Sequence, residues 1–288
     1  MAEDKKLQEE IAINKDFGLL TRSYQEHAIG QINFARYYVL YSRDFSKDLE
    51  EIFSSVRTSY FRKSNKKTIK NMIKKNGRDI WILVAANNKL YGDIILKTVR
   101  LFITKLKDTD PAKVDLVIIG RQGKNMVDQE NLNRPYDFFD VPDTSTTGDF
   151  LKKLSNKLAS YENVIVFFGK YNNLISQTPA QIVLSGDVLM DEAHDSKLQI
   201  QQNFLFEPGI EEILSYFENQ ILSLLLNQTV QEAQLARFAS RVNAMEIAQD
   251  NIQKQLDKLK RQEKRIKIME TNKKQTELLA GRWLWNRG

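Results

Sequence analysis

The sequence predicts an α/β fold in which two long terminal helices pair as an antiparallel coiled coil and a central α/β domain lies between them in the chain. First, all five prolines lie between Pro111 and Pro208, so this helix-breaking residue is absent from both ends. Second, residues 210–280 also lack glycine. Third, strand-like and helix-like segments alternate in the middle of the chain, which is typical of an open, mostly parallel sheet.

The C-terminal stretch has the apolar spacing of a coiled coil. As one helix, residues 210–280 would be roughly 107 Å long at about 1.5 Å per residue. Apolar residues recur along it at steps of three and four, which is the spacing that packs against a second helix. They are Leu235, Phe238, Val242, Met245, Ile252, Leu256, Leu259 and Ile266.

The N-terminal segment offers the second helix of this coil. Gly18 and Gly30 each weaken a helix by up to about 1 kcal/mol relative to alanine, so we expect this helix to depend on its partner for stability. Its apolar residues lie near a helical period: Phe17, Leu20, Tyr24, Ala28, Ile32, Ala35, Phe45, Leu49 and Ile52.

The middle of the chain predicts a Rossmann-like open α/β domain. Short apolar runs predict buried strands, and helical spacing predicts the helices between them. The predicted strands are residues 80–86, 114–119, 164–168, 181–184 and 199–206, and the predicted helices are 92–106 and 148–160. The resulting division is a coiled-coil helix at 1–56, a basic connector at 57–78, the α/β domain at 79–207 and the second coiled-coil helix at 208–288.

The composition excludes several classes of protein. The chain has no cysteine and two histidines, which excludes thiolate chemistry and argues against a histidine metal site, and we expect no metal and no cofactor. No apolar stretch is long enough to span a membrane, and the charged N-terminus does not resemble a secretory signal, so we expect a cytoplasmic protein. The net charge of +6 suits an acidic partner of any kind, whether nucleic acid, membrane surface or protein.

One glycine-rich motif resembles a phosphate-binding loop. Gly120-Arg-Gln-Gly123-Lys124 follows a predicted strand, but such a loop needs four residues between its glycines and a Ser or Thr after the lysine. Here two residues separate the glycines, and Asn125 follows the lysine. The other Gly-Lys pair, Gly169-Lys170, is followed by a tyrosine. We interpret the Gly120 motif as a turn after a strand.

A second motif, Asp191-Glu192-Ala193-His194, spells a Walker B box. In enzymes with this box the Asp holds Mg²⁺ and the Glu orients water, but only together with a phosphate-binding loop. We interpret the motif as a solvated acidic loop, and a helicase-like enzyme is the least favoured reading of the chain.

Basic residues concentrate in two places. Residues 57–78 contain no acidic residue, and Tyr60 and Phe61 could stack on bases; a solvated basic helix is the favoured reading and an anionic partner the alternative. Basic residues also outnumber acidic ones between Lys254 and Lys274, whereas coiled-coil surfaces usually mix both signs. We predict that an acidic partner contacts this second zone. Its candidate residues, the basic collar, are Lys260, Arg261, Lys264, Arg265, Lys267 and Lys274.

The C-terminal helix resembles that of the γ subunit of F-type ATP synthase. Three blocks carry the resemblance at the family's spacing: 239–245 with Arg241, Ala244 and Met245, then Asp250-Asn251, then 276–281 with Glu277 and Gly281. Thr21 and Arg22 are similar to positions of the family's N-terminal helix. The resemblance covers nearly the whole chain and is strongest after residue 206.

This resemblance implies a rotor shaft without an active site of its own. The two terminal helices would form a left-handed coil inside a hexameric ring of catalytic and non-catalytic nucleotide-binding subunits, and the α/β domain would act as a foot. The basic collar would face acidic levers of the ring. The foot would bind an ε-like subunit and a membrane or other partner at the inner face of the cell membrane, without membrane insertion or direct nucleic-acid contact. The tip inside the ring would be Leu278, Leu279, Trp283, Leu284 and Trp285.

The chain also departs from the family pattern. Arg237 replaces an expected Glu, Ser23-Tyr-Gln-Glu-His27 replaces an apolar run, and the tip is unusually aromatic. A specialised F-type-like motor, similar to those of mycoplasmas and not coupled to a proton-driven membrane ring, is therefore an alternative. A coiled-coil adaptor or nucleic-acid-binding protein that uses residues 57–78 is a further alternative.

Overall fold

A computed structural model of the chain describes residues 2–63, 75–131, 134–144, 148–184 and 210–285. The chain divides into two compact units. The coil unit contains residues 1–27 and 242–288, and the α/β unit contains residues 28–241. None of the described helices has the length and apolar character needed to cross a membrane.

The described elements follow one another in the predicted α/β pattern. The helices are α1 (Ala2–Lys63), α2 (Ile94–Lys107), α3 (Arg121–Gln129), α4 (Gly148–Leu158) and α5 (Ile210–Trp285). The strands are β1 (Asp79–Val84), β2 (Val114–Ile119), β3 (Asp137–Phe139), β4 (Val164–Tyr171) and β5 (Gln177–Val183). Helix α1 continues into the predicted basic connector, and the four-part domain division stays a prediction.

The five strands form one sheet in the order β3-β2-β1-β4-β5. Strand β1 pairs in parallel with β2 and β4, and β2 pairs in parallel with β3. Among the described strands, only the pairing of β5 with β4 is antiparallel. The prediction of a mostly parallel sheet is therefore confirmed.

Alternating residues of β1 face two different cores. Ile80, Ile82 and Val84 join a cluster with α4 and with α5, which contributes Leu226, Val230 and Ala233. The opposite face holds an aromatic cluster, in which the rings of Trp81 and Phe102 each lie about 5 Å from the ring of Phe167. The sheet is therefore covered on both faces, as a parallel sheet requires.

Three elements differ from the sequence prediction. Strand β5 begins at Gln177 rather than 181 and contains Pro179, which an edge strand tolerates because it has a neighbour on one side only. Strand β3 has only three residues, too few to show a pattern. The Gly120 motif, predicted to be a turn, begins helix α3 instead. The predicted strand at 199–206 lies outside the described residues.

The sequence prediction misses α3 because two glycines, Gly120 and Gly123, lie at its start. A side chain at Gly123 would place its Cβ 2.6 Å from the Cβ of Ala85, so only glycine allows the helix to lie this close to the end of β1. Gly120 precedes the helix with a φ of +96°, in the region that favours glycine. The glycines that suggested a turn serve close packing.

The coil unit pairs α1 with α5 in opposite directions, as predicted. Gln25 of α1 lies at the level of Glu246 and Gln249, donating a hydrogen bond to Glu246 and accepting one from Gln249. Towards the N-terminus of α1, Leu7 and Ile11 pack with Leu256 and Leu259 of α5. Residue numbers rise along one helix as they fall along the other, which defines an antiparallel pair.

The seam assigned to α1 is partly wrong. Phe17 and Leu20 are half exposed, and Phe45, in the α/β unit, is equally exposed. In the coil unit the paired face instead contains Leu7, Ile11 and Gly18, which lies against Ile252. Ala28, Ile32 and Ala35 of the predicted seam are buried, so among its described positions hydrophobicity selects the exposed side of α1 only at Phe17, Leu20 and Phe45.

The predicted seam of α5 also divides between the two units. Leu256 and Leu259 pack against α1, whereas Phe238 contacts the ring of Tyr91 edge-on within the α/β unit. The spacing of Phe238 is that of a coil residue, but its partner is a loop after β1. The side chains of Leu49 and Ile52 lie outside the described residues.

We expect Phe102→Ala to lower the free energy of unfolding of the full chain by about 3–5 kcal/mol, because the ring is fully buried against Trp81 and Phe167. Urea unfolding followed by circular dichroism measures this. The matched control is Phe17→Ala, whose ring is 54% exposed and whose replacement should change stability by about 0.5 kcal/mol or less. Equal losses for both variants would contradict the described core.

Candidate functional site

The basic collar lies on the exposed surface of α5 in the coil unit, and all six of its side chains are exposed. Leu256 and Leu259 define the face of α5 that packs against α1. Because successive helix residues are turned by about 100°, Arg261 and Arg265 lie opposite that face, whereas Lys260 lies on its flank. Lys264 and Lys267 belong to the same flank. The collar therefore forms two rows of charge rather than one patch.

The row opposite the seam is longer than the predicted set. Lys254 and Lys258 are also exposed and continue the row of Arg261 and Arg265 at steps of four, three and four. The prediction counted these lysines but did not assign them to the site. Their spacing is the signal that would have identified them.

Ion pairs divide the collar further. Lys267 forms an i,i+4 ion pair with Glu263 at 2.5 Å, and this hydrogen bond raises the pKa of the Lys267 ammonium above its usual value. Near the end of the helix, Glu277 lies 4.0 Å from Lys273. Within the described part of the chain, no ion pair links a carboxylate to Lys254, Lys258, Arg261 or Arg265. This row keeps its charge available to another molecule.

The predicted tip is only partly described. Leu278 and Leu279 are 73% and 66% exposed, as a surface awaiting a partner would be. The helix continues to Trp285, but the side chains of Trp283, Leu284 and Trp285 lie outside the described residues.

The family-signature positions of the coil unit have local contacts. The Thr21 hydroxyl donates to the carbonyls of Phe17 and Gly18 at 3.0 Å, and Arg22 pairs with Glu26 on the exposed side of α1. On α5, Met245 is buried and Ala244 is half-buried, while Asp250 and Asn251 are exposed. Gly281 lies in the helix, without a described environment.

Helix α5 has a different character within the α/β unit, where it is buried on all sides from Ala233 to Arg241. A surface helix buries one stripe, so a helix buried all round lies in the interior of its domain. The ideal Cβ of Gly169, on β4, would lie 3.6 Å from the Cβ of Ala236, so the helix runs close to the end of that strand. Helix α5 therefore contacts the sheet at the ends of its parallel strands.

Arg237 is one of three buried charged residues described in this unit, with Asp143 and Arg241. Its Nη1 donates to the carbonyl of Ala85, directly after β1, at 2.6 Å. Burial lowers the pKa of the guanidinium, and the nearby carboxylate of Asp143 partly offsets that effect. Asp143 is itself fixed, because it accepts hydrogen bonds from the amides of Asn87 and Asn88.

Arg241 lies one helical turn further along the same face. Its Nε donates to the carbonyl of Leu90 and its Nη2 to that of Lys89, both at 3.0 Å. Its guanidinium also stacks on the ring of Tyr91 at 3.8 Å. Burial raises the pKa of the Tyr91 hydroxyl, which donates to Asp143. The two arginines and this loop form one connected network.

The first two backbone amides of α3 are not free to bind a phosphate. The Arg121 amide donates to Asn87 Oδ1, and the Gln122 amide donates to the carbonyl of Ala86. A phosphate at a helix N-terminus uses these same first amides. The Asp191–His194 motif lies outside the described residues. Among the described residues, no cluster of His, Asp or Glu is suited to hold a metal ion.

Comparison with known proteins gives consistent matches. The family model described as ATP synthase matches residues 4–277. The chain is 23% identical over 239 residues to the ATP synthase gamma chain of Halothermothrix orenii, covering 79% of this chain and 81% of that one. It is 24% identical over 221 residues to the gamma chain of Staphylococcus carnosus, covering 74% and 75%.

Two solved structures have a similar fold. One is a chain of the Tetrahymena thermophila mitochondrial ATP synthase, from a structure of its central stalk and c-ring, with a TM-score of 0.58 and 15% identity over 80% of this chain and 99% of that one. The other comes from the Euglena gracilis mitochondrial ATP synthase, with a TM-score of 0.52 and 12% identity over 87% and 93% of the two chains.

We expect the purified chain neither to bind nor to hydrolyse Mg-ATP, because the first amides of α3 already donate within the protein. Isothermal calorimetry should show no heat above that of dilution. A nucleotide-binding ATPase titrated in the same buffer serves as the positive control. Micromolar binding to this chain would contradict both the α3 geometry and the assignment of a shaft without an active site.

Proposed function

This chain belongs to the ATP synthase family, and we propose that it is the central shaft of a rotary ATPase, which turns inside a ring of nucleotide-binding subunits and transmits torque. The observation that carries the proposal is α5, a single helix of 76 residues that is buried on all sides from Ala233 to Arg241 in the α/β unit and continues into the coil unit. Both units therefore contain part of the same helix.

A role as a shaft fits the mechanics of this helix. At about 1.5 Å per residue, α5 is roughly 114 Å long, several times the length of an average globular helix. Its coil half has a narrow apolar seam and a charged exterior, whereas its other half is held by a complete domain. The coil half is suited to contact with surrounding subunits. The half held by the α/β domain is suited to attachment of a load.

A non-catalytic role is supported by the ends of the parallel strands. Open α/β sheets bind their ligands in the crevice where strand order reverses, which in this sheet lies between β1 and β4. Here α5 reaches both strand ends, through Arg237 at Ala85 and Ala236 at Gly169. We propose that ATP chemistry belongs to the ring and that this subunit takes no part in it.

The proposed partners follow from the two units. The coil unit contacts catalytic and non-catalytic subunits of a hexameric ring, with the basic collar and the neighbouring Lys254 and Lys258 facing acidic levers. The α/β unit binds an ε-like subunit and a membrane or other foot partner, which would place the complex peripherally at the cytoplasmic face of the cell membrane. No described feature favours a nucleic-acid partner.

We expect that reversing Lys260, Arg261, Lys264, Arg265 and Lys267 together to Glu lowers the torque of the assembled complex, because the levers would then meet charges of their own sign. A single reversal should have little effect, since one exposed pair contributes about 0–1 kcal/mol. Torque is measured from the rotation of a bead attached to the α/β unit.

The matched control reverses exposed basic residues of the α/β unit, namely Arg100, Lys105, Lys113 and Lys170. It lowers the net charge by 8, against 10 for the collar variant, without touching the collar, and should leave torque unchanged. Wild-type torque after the collar reversal would show that the collar is only a solvated surface.

We also expect the tip to enter an apolar sleeve of the ring, because Leu278 and Leu279 are exposed in the isolated chain and apolar clusters of this kind mark interaction sites. Iodide quenching of Trp283 and Trp285 should decrease on assembly. Trp81 is replaced by Phe to remove its fluorescence, and a chain with all three tryptophans replaced gives the background. Equal quenching before and after assembly would place the tip outside the ring.

A further inference from the structure

The loop after β1 and helix α5 meet through directed contacts rather than through apolar packing alone. Three consecutive parts of the network come from this loop: the carbonyl of Ala85, the carbonyls of Lys89 and Leu90, and the ring of Tyr91. All of them meet Arg237 or Arg241, which lie four residues apart and therefore on one face of α5.

The loop holds an unfavourable backbone conformation at this point of contact. Leu90 has a φ of +68°, a conformation that is unfavourable for a residue with a side chain. Gly92 has a φ of +62°, and a Cβ at this position would lie 2.4 Å from the Ser240 hydroxyl. The strained turn directs the carbonyl of Leu90 to Arg241, and the glycine allows the loop to follow the helix closely.

Interdigitated apolar side chains already resist rotation of a buried helix through their shape. Hydrogen bonds add a resistance that depends on the direction of donor and acceptor. The same rotation moves the guanidinium groups away from carbonyls that have fixed directions, and a buried guanidinium without acceptors is costly. The arginines therefore oppose rotation of α5 within the α/β unit.

We propose that Arg237 and Arg241 form a torsional lock that makes helix α5 and the α/β domain turn as one body. The lock deepens the proposed function and rests on it, because resistance to twisting matters only if the chain transmits torque. Both arginines are positioning residues, and neither touches a nucleotide. Their acceptors are backbone carbonyls, so the lock depends on the two guanidinium groups and on the path of the loop.

The test measures torsional stiffness in the assembled complex. The ring is fixed to a surface, and a bead is attached through a biotin-acceptor peptide inserted in the exposed turn Pro111–Lys113. Without ATP, the angular variance of the bead reports the stiffness between ring and α/β domain. The lock variant is Arg237→Met with Arg241→Met, since methionine keeps a long, helix-compatible side chain but has no donors. The matched control is Arg100→Met, an exposed arginine of α2.

A disulfide separates the lock from a general loosening of the domain. The ideal Cβ of Gly169 lies 3.6 Å from the Cβ of Ala236, within the range of about 3.5–4.5 Å that a disulfide bridges. Gly169→Cys and Ala236→Cys would join α5 to β4, with Ile94→Ala to remove the side chain 2.7 Å from the new Cβ. The chain contains no other cysteine, so this pair oxidises alone.

We expect the lock variant to lose stiffness, seen as a larger angular variance, and the Arg100 control to keep the wild-type value. Oxidising the cysteine pair in the lock variant should restore the wild-type variance, and reducing it should remove that gain. Wild-type variance in the lock variant, or a large variance that oxidation does not restore, would overturn the proposal. A wild-type bead that does not rotate with ATP would contradict the proposed function and the role of the lock with it.

Discussion

The α/β unit depends on the burial of one guanidinium. Placing Arg237 in the interior is costly unless its donors find acceptors. The carbonyl of Ala85 at the end of β1 accepts from Nη1, whereas Nε has no hydrogen-bond partner among the described residues. That requirement fixes where α5 meets the sheet and how the next loop runs. Asp143, held by two backbone amides of the same loop, supplies the nearby negative charge. The crevice that other open sheets leave for a ligand is thereby used to hold a helix.

The coil unit is stabilised in a different way. Its described apolar contacts are few, with Leu7 and Ile11 against Leu256 and Leu259, and polar contacts of Gln25 continue the pairing. Isolated helices gain most of their stability from packing, so a thin seam leaves this unit dependent on what surrounds it. Exposed apolar residues such as Phe17 and Leu278 are compatible with that dependence, because a surrounding subunit can cover them.

The sequence predicted the parts of the fold that rest on local patterns. The absence of proline and glycine predicted α5 correctly, and apolar runs located β1, β2 and β4. What it missed depends on tertiary neighbours. Gly123 suggested a turn, yet it sits inside α3 because Ala85 lies too close for any side chain. Pro179 suggested a break, yet β5 is an edge strand that tolerates it. On α1, apolar residues lie on the exposed as well as the buried side, and only the position of α5 selects between the two.

The proposed functional surfaces show the same limit of sequence-based prediction. Counting charges located the collar, but only the helix faces separate the row of Lys254, Lys258, Arg261 and Arg265 from the paired Lys267. Arg237 departs from the family pattern and Arg241 matches it, but the sequence does not indicate what either side chain contacts. Their acceptors are backbone carbonyls about 150 residues away in the chain, and a carbonyl leaves no signature in the sequence. A lock of this kind can keep its geometry while the loop sequence changes, as long as the backbone path and the two guanidinium groups remain.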